Sequence, residues 1–307
     1  MTQIAFIGLG NMGHPMTRSL LKANLPVHVY DLSEASRNAL AMFGATPKSS
    51  LADAVRDADV VITMVPTGKH VRAVYEGPDG ILQNAKPKAL LIDCSTIDVD
   101  TSKAMNAMAR SLGYEMVDAP VTGSVSAAEK SALTFMVGGT AEAYKHALPI
   151  LRAMGAAFFH VGEAGAGLAM KICNNMMTGI ILLANSEAFE LTRRFGIDDR
   201  LAFEVLSLGS AGSWVLKNYC PVPGLVPTSP ASCDYTPGFS TDLMLKDMRL
   251  SQSAAASLGA STGLAACASA MYQLASNQGY GHKDCSYVFE VVRGGTAKAL
   301  PESTARG

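Results

Sequence analysis

Lys171 stands in the stretch GAGLAMKICNN, residues 165–175, with Asn174 and Asn175 three and four residues behind it. On a helix those spacings bring all three side chains to one face. Apolar surroundings penalise the charged form of an amine, and a neutral amine can take a hydroxyl proton as general base. The competing reading is a lysine whose stem lies on apolar surface while its ammonium reaches water. A second cluster, Asp118-Ala119-Pro120-Val121-Thr122-Gly123, ends a strand-like run with a hydroxyl and a glycine N–H. Such a pair can hold a carboxylate without adding charge; an ordinary strand-to-turn transition is the alternative. Leu245-Lys246-Asp247 begins or enters a helix after a Gly-Phe-Ser-Thr turn. Lys246 can pair with a carboxylate, and Asp247 can orient a lysine or accept from a hydroxyl. Taken alone, a Lys-Asp pair is usually a solvated helix face.

A third feature supplies a cofactor. Residues 4–13 read IAFIGLGNMG, an apolar run opening into Gly8-x-Gly10-x-x-Gly13. Gly8 permits a tight turn, Gly10 a close backbone approach to a pyrophosphate, and Gly13 close packing of the following helix on the strand. Backbone N–H groups at that helix start can hold phosphates. A helix-like stretch from His14 to Lys22 leads to a second strand, VHVY, which ends at Asp31. A carboxylate about twenty residues past the glycines accepts hydrogen bonds from ribose hydroxyls and repels a 2′-phosphate. NAD, rather than NADP, is the expected cofactor.

These groups need elements to position them. The first half alternates strands and helices in the manner of a parallel sheet: IAFIG, VHVYD, VVITMV, ALLIDCST, YEMVDAPVTG, LTFMVGG and AAFFHVG, with a helix at SLADAVRDA. In such a sheet the carboxyl ends of the strands form the ligand edge, which places Pro66, Thr96 and Thr122 near cofactor or reacting carbon. After GEAGAG, residues 162–167, the strand pattern stops and Ala-, Leu- and Met-rich helical stretches take over. The expected organisation is a Rossmann-type α/β domain over 1–164, an all-helical substrate and oligomerisation domain over 165–296 joined by a long interdomain helix, and a disordered tail at 297–307. The Pro-rich stretch 221–237 reads as an ordered connection or lid anchored by Tyr219, Tyr235 and Phe239. The spacing at 254–276 reads as a packing helix.

With 307 residues, 49% hydrophobic and 17% charged, the chain is a compact globular protein. A formal charge of −1 gives no electrostatic reason to expect nucleic-acid binding. Six scattered cysteines lack zinc spacing and suit a cytosolic compartment with reduced thiols; no secretory signal is visible. The apolar core of MMTGIILLANSEAF is too short to span a bilayer and is flanked or interrupted by Lys171, Asn174, Asn175, Asn185 and Glu187, so no membrane association is expected. A mildly positive mean hydropathy suggests oligomerisation.

GLGNMGHPM at 8–16, DAPVTGS at 118–124, GAGLAMKICNN at 165–175 and LKD at 245–247 together closely resemble the β-hydroxyacid dehydrogenases, over essentially the whole chain. Ser213-Trp214 through Asn218-Tyr219, with Pro221-Val222-Pro223-Gly224, Tyr235 and Gly238-Phe239, is most similar to members acting on 3-hydroxyisobutyrate. The resemblance implies Lys171 as catalytic acid/base, Asn175 as its helper, and Thr122 with Gly123 as carboxylate clamp. It implies Lys246 at cofactor or substrate with Asp247 close by, and Trp214 and Tyr219 as pocket walls. On the cofactor side it implicates Gly8, Leu9, Gly10, Asn11, Met12, Asp31, Val65, Pro66 and Thr96. No metal is implied. The implied reaction is NAD-dependent oxidation of 3-hydroxyisobutyrate to methylmalonate semialdehyde in valine catabolism, by a homodimer or homotetramer. Serine, 3-hydroxypropionate and tartronate semialdehyde are alternative substrates, and an NAD(H)-binding sensor without turnover is the alternative of another class. Most members carry Ser-Gly-Gly where this chain has Thr122-Gly123-Ser124. The change keeps the hydroxyl and adds bulk, which leaves the reaction type intact and the exact substrate open.

Overall fold

The computed structural model describes residues 2–294, so the tail expected at 297–307 lies outside the described residues. The chain divides into two compact units between Ile172 and Cys173.

The first unit is built on one sheet, and side-chain alternation explains why. In β1 (Ile4–Ile7), Ile4 and Phe6 join a core that also holds Val60, Ile62, Leu90 and Ile92. Ala5 and Ile7 point the other way, into a core with Val61 and Leu91. Continuous apolar runs therefore fill both faces, as a helix-covered parallel sheet requires. The other strands are β2 (Val27–Tyr30), β3 (Thr46–Pro47), β4 (Val60–Thr63), β5 (Leu90–Asp93), β6 (Glu115–Asp118), β7 (Val121–Thr122), β8 (Leu133–Gly138) and β9 (Gly155–Gly162). Their order is β3-β2-β1-β4-β5-β6-β8-β7, with β9 paired to β8. Strands β1 to β6 are parallel, and the order reverses between β1 and β4, where open α/β sheets bind ligands.

Three expectations for this unit change. The run YEMVDAPVTG is two strands, because Pro120 has no N–H to donate to a ladder. β8 runs antiparallel to both β6 and β7. Only the short helix Val125–Glu129 joins β7 to β8, too little chain for a parallel crossover. The helix expected at SLADAVRDA is also shorter, Leu51–Val55, capped by Ser50.

In the second unit no strand occurs among the described residues beyond an isolated bridge between Ser240 and Asp284. The helix Ala166–Arg194 runs from the first unit into the second. By length and composition it is apolar enough to cross a membrane. It packs as a core helix, with Leu182, Ser186 and Phe189 fully buried. Gly179 lets a neighbour come close: a Cβ there would sit 2.8 Å from Met248 Sδ, and Tyr272 donates to its carbonyl at 3.1 Å. The single helix read at 254–276 is two, Thr241–Leu258 and Gly263–Ala275. Gly259 at φ +66° ends the first, a left-handed stop that glycine takes without steric cost. The Pro-rich stretch is ordered: Tyr235 Oη donates to the Pro221 carbonyl at 3.1 Å, and Ser229 Oγ to that of Cys220 at 2.7 Å.

Phe135 is fully buried on β8 and stacks on Phe158 of β9 at 5.9 Å. Phe135→Ala should cost about 3–5 kcal/mol, read as a lower denaturant midpoint for the first unit; an unchanged midpoint would contradict the packing described.

Candidate functional site

The glycine turn after β1 is shaped by close contacts. Gly8 has φ +93°, and a Cβ there would lie 2.3 Å from the Met64 carbonyl oxygen. A Cβ on Gly13 would lie 2.0 Å from the Gly8 carbonyl oxygen, so only glycine lets the helix Gly13–Lys22 start this close to the strand. Gly10 is different: no heavy atom lies within 4 Å of its Cβ position, leaving room for a ligand against the backbone. Met12 at the helix start makes no side-chain cap, because a thioether is a poor acceptor for backbone N–H groups. Asp31, directly after β2, accepts from Leu9 N at 2.7 Å and from Ser33 N at 2.8 Å. The acid is thereby fixed beside the glycine turn, the relation a dinucleotide's ribose and pyrophosphate require.

The neighbouring loops are tied by a buried network. Thr63 Oγ1 donates to Asp93 Oδ1 at 2.7 Å, Ser95 N donates to the same oxygen at 3.1 Å, and Val65 N donates to Ser95 Oγ at 2.9 Å. This joins the loop carrying Val65 and Pro66 to the one carrying Thr96. Desolvation pushes the Asp93 carboxyl up to about 6, against the pull of Ser95 and Thr63 and with help from the charge of Asp118.

Further along the sheet, Thr122 pairs with Thr134, and Gly123 follows at φ +131°. Ser124, the added bulk in the clamp motif, serves the local fold, since its Oγ accepts from Ala127 N and caps the helix Val125–Glu129. Asp118 is buried and accepts from Gly165 N at 2.7 Å and Leu168 N at 2.9 Å. Desolvation raises its carboxyl above the ordinary range, while the N–H groups of Gly165, Leu168 and Gly167 pull it down. The helix so anchored carries Lys171, which is only 9% exposed, and one turn later Asn175, at 6%.

Within the second unit, Asn175 Nδ2 donates to Asp247 Oδ2 at 2.5 Å, and Lys246 Nζ lies 3.2 Å from Asp247 Oδ1. Asn175, Asp247 and Lys246 therefore form a chain, and Asn174 joins it by donating to Asn175 Oδ1 at 3.1 Å. Lys246 and Asp247 lie inside the helix Thr241–Leu258, whose start Ser240 caps. Trp214 opens the helix Trp214–Asn218 and is 65% exposed. Tyr219 is held through its hydroxyl, which donates to Asp284 Oδ2 at 2.6 Å. The same carboxylate oxygen accepts from Gly238 N and Phe239 N, each at 3.1 Å.

Sequence reasoning gave no role to Asp93, Ser95, Asp118 or Asp284, although Asp118 opens the clamp motif. The first three share a visible signal: polar residues at the carboxyl end of an apolar strand. Asp284 has no such signal: Ser286 beside it donates to its Oδ1, and the partners of its Oδ2 lie 45 or more residues away.

Residues 3–162 match a family model described as the NAD binding domain of 6-phosphogluconate dehydrogenase. Residues 165–292 match one described as NAD-binding of NADP-dependent 3-hydroxyisobutyrate dehydrogenase. The chain is 42% identical to an NAD-dependent L-serine dehydrogenase of Pseudomonas aeruginosa, over 94% of this chain and 97% of that protein. It is also 42% identical to a 3-hydroxyisobutyrate dehydrogenase of the same organism, over 96% and 99%. Among solved structures, Mycobacterium tuberculosis 3-hydroxyisobutyrate dehydrogenase with L-serine superposes with a TM-score of 0.89 at 41% identity, covering 95% of this chain and 99% of that one.

Two outcomes test the cofactor side. Gly13→Ala should weaken NADH binding about tenfold or more, measured by fluorescence titration, because the helix start must move off the strand. For Asp93, the folded state retains a proton between about pH 4 and 6 that the unfolded chain has lost. Its contribution to stability therefore falls as pH rises through that window, by about 3 kcal/mol in all. The stability difference between wild type and Asp93→Asn should shift in the variant's favour over that range and level off above it; a difference independent of pH would contradict the assignment.

Proposed function

The chain belongs to the 3-hydroxyisobutyrate dehydrogenase family and is an NAD-dependent hydroxyacid dehydrogenase, and from that premise we propose that it oxidises 3-hydroxyisobutyrate to methylmalonate semialdehyde, with Lys171 as general acid/base. The observation that carries this reading is a lysine held at 9% exposure with Asn175, at 6%, on the next turn of the same helix. A buried amine is costly to a fold and is seldom kept without a function.

Each residue has a part. Gly8, Leu9, Gly10, Asn11 and Met12 seat the pyrophosphate, and Asp31 takes the adenosine ribose. Val65, Pro66 and Thr96 border the cofactor from the next two strand ends. Thr122 and Gly123 hold the substrate carboxylate with a hydroxyl and a backbone N–H. Lys171 takes the hydroxyl proton, and in reverse it polarises the aldehyde oxygen and returns the proton. Bound NAD supplies the hydride acceptor for the carbinol carbon, which balances the oxidation. Asn175, tied to Asp247, presents its amide to the substrate oxygen; Lys246 contacts cofactor or substrate. Trp214 and Tyr219 line the side-chain pocket. Valine breakdown as the source of substrate, and assembly through the helical unit, belong to the same reading. The exposed apolar residues Met177, Leu201, Val205 and Leu208 support the assembly.

L-Serine is the second reading. It is favoured by the similarity to an L-serine dehydrogenase. L-Serine carries an ammonium where 3-hydroxyisobutyrate carries a methyl, whereas 3-hydroxypropionate lacks only that methyl. An apolar pocket discriminates by about 1–3 kcal/mol for one methyl, so 3-hydroxypropionate should overlap with 3-hydroxyisobutyrate. NADH formation by the purified protein with (S)-3-hydroxyisobutyrate, L-serine and 3-hydroxypropionate should give the highest kcat/KM for the first. NADP should serve at least about tenfold less well than NAD, because Asp31 repels a 2′-phosphate. A higher kcat/KM with L-serine would replace the first reading by the second.

A further inference from the structure

We infer that Asp118 is a positioning residue for the reaction: it ties the strand leading to the carboxylate clamp to the first turn of the helix carrying Lys171. The proposal rests on the reading of Lys171 as the group that moves the proton.

The first turn of a helix has backbone N–H groups with no partner inside the helix, and a carboxylate is the strongest acceptor for them. Asp118 supplies one from 47 residues away, with Oδ1 on Gly165 N and Oδ2 on Leu168 N. An ordinary cap comes from the residue preceding the helix and fixes nothing beyond it. This one belongs to β6 and fixes the helix to the sheet. Lys171 lies three residues past Leu168, within one further turn. In the other direction Asp118 leads through Ala119 and Pro120 straight into β7 and the Thr122–Gly123 turn. One side chain thus ties together the two groups that must meet a single substrate.

The contact is tight on every side. A Cβ on Gly167 would lie 2.7 Å from Asp118 Oδ2 and 2.4 Å from the Met136 carbonyl oxygen. A Cβ on Gly138 would lie 2.6 Å from Asp118 Oδ1 and 2.7 Å from Gly167 N. Gly165 adopts φ +86°, which lets its N–H turn toward the carboxylate. Glycines at 138, 165 and 167 thus let strand and helix close on the carboxylate, so displacing the acid displaces the helix start. A general stability role would not require the acceptor to sit on the strand that leads into the clamp and to bind the start of the lysine helix.

Asp118→Asn keeps the shape and one acceptor but puts an NH2 where an N–H must be received. The purified variant should bind NADH within about twofold of wild type and keep its KM for NAD. Its kcat should fall about a hundredfold, as expected for misplacement by an ångström or so, with a rise in KM for the hydroxy acid. Asp118→Ala should lose more. Parallel loss of NADH binding and kcat would mean a general structural role and overturn the proposal. Unchanged kcat in Asp118→Asn, while Lys171→Ala is inactive, would overturn it and leave the role of Lys171 standing. An active Lys171→Ala would instead remove the reading on which it rests. Hydrogen exchange on the wild-type protein tests the geometry without any variant. The amides of Gly165 and Leu168 should exchange as slowly as those of β5, whereas exchange as fast as that of an uncapped helix end would overturn the proposal.

Discussion

Two strands of the central sheet end in aspartate and a third is followed at once by one. A carboxylate withdrawn from water in such a place needs donors around it or stays neutral. Asp31 directly after β2 draws in the N–H groups of Leu9 and Ser33. Asp93 at the end of β5 draws in Ser95 N and the Thr63 hydroxyl. Asp118 at the end of β6 draws in Gly165 N and Leu168 N. Each acid thereby fixes the backbone of a segment that no regular ladder holds. The three segments are the glycine turn, the loops bearing Val65 and Thr96, and the start of the lysine helix. The loops at this edge of the sheet are tied in place because they supply donors to these carboxylates.

Glycine makes this possible where the backbone must come closest. Gly13 and Gly167 each sit where a methyl would strike a carbonyl oxygen, in one case at the cofactor turn and in the other at the lysine helix. Gly10 faces open space instead, which separates glycines required by the fold from the one that leaves room for a ligand. In the second unit Asp284 does for Tyr219, Gly238 and Phe239 what the strand-end acids do for the first.

Much of this was legible in the sequence because it depends on local rules. The apolar runs become strands, the GxGxxG turn and Asp31 are neighbours, and Lys171 and Asn175 share a helix with one-turn spacing. The misses have physical causes. Pro120 splits a run that reads as one strand, and β8 reverses because its connection is too short to cross over. Gly259 stops a helix whose apolar spacing continues past it. Asp118 stood inside a recognised motif without an assigned role, since its partners lie 47 and 50 residues away. Ser124, which reads as a departure at the clamp, caps the following helix.

The central claim is that a buried lysine, held by this scaffold, moves the proton while NAD takes the hydride. Turnover and NADH binding measured side by side in Lys171→Ala test it most directly. The account predicts turnover reduced by about a thousandfold or more, within the range for a lost general acid/base, with NADH bound as in wild type. Turnover within a few-fold of wild type would contradict it.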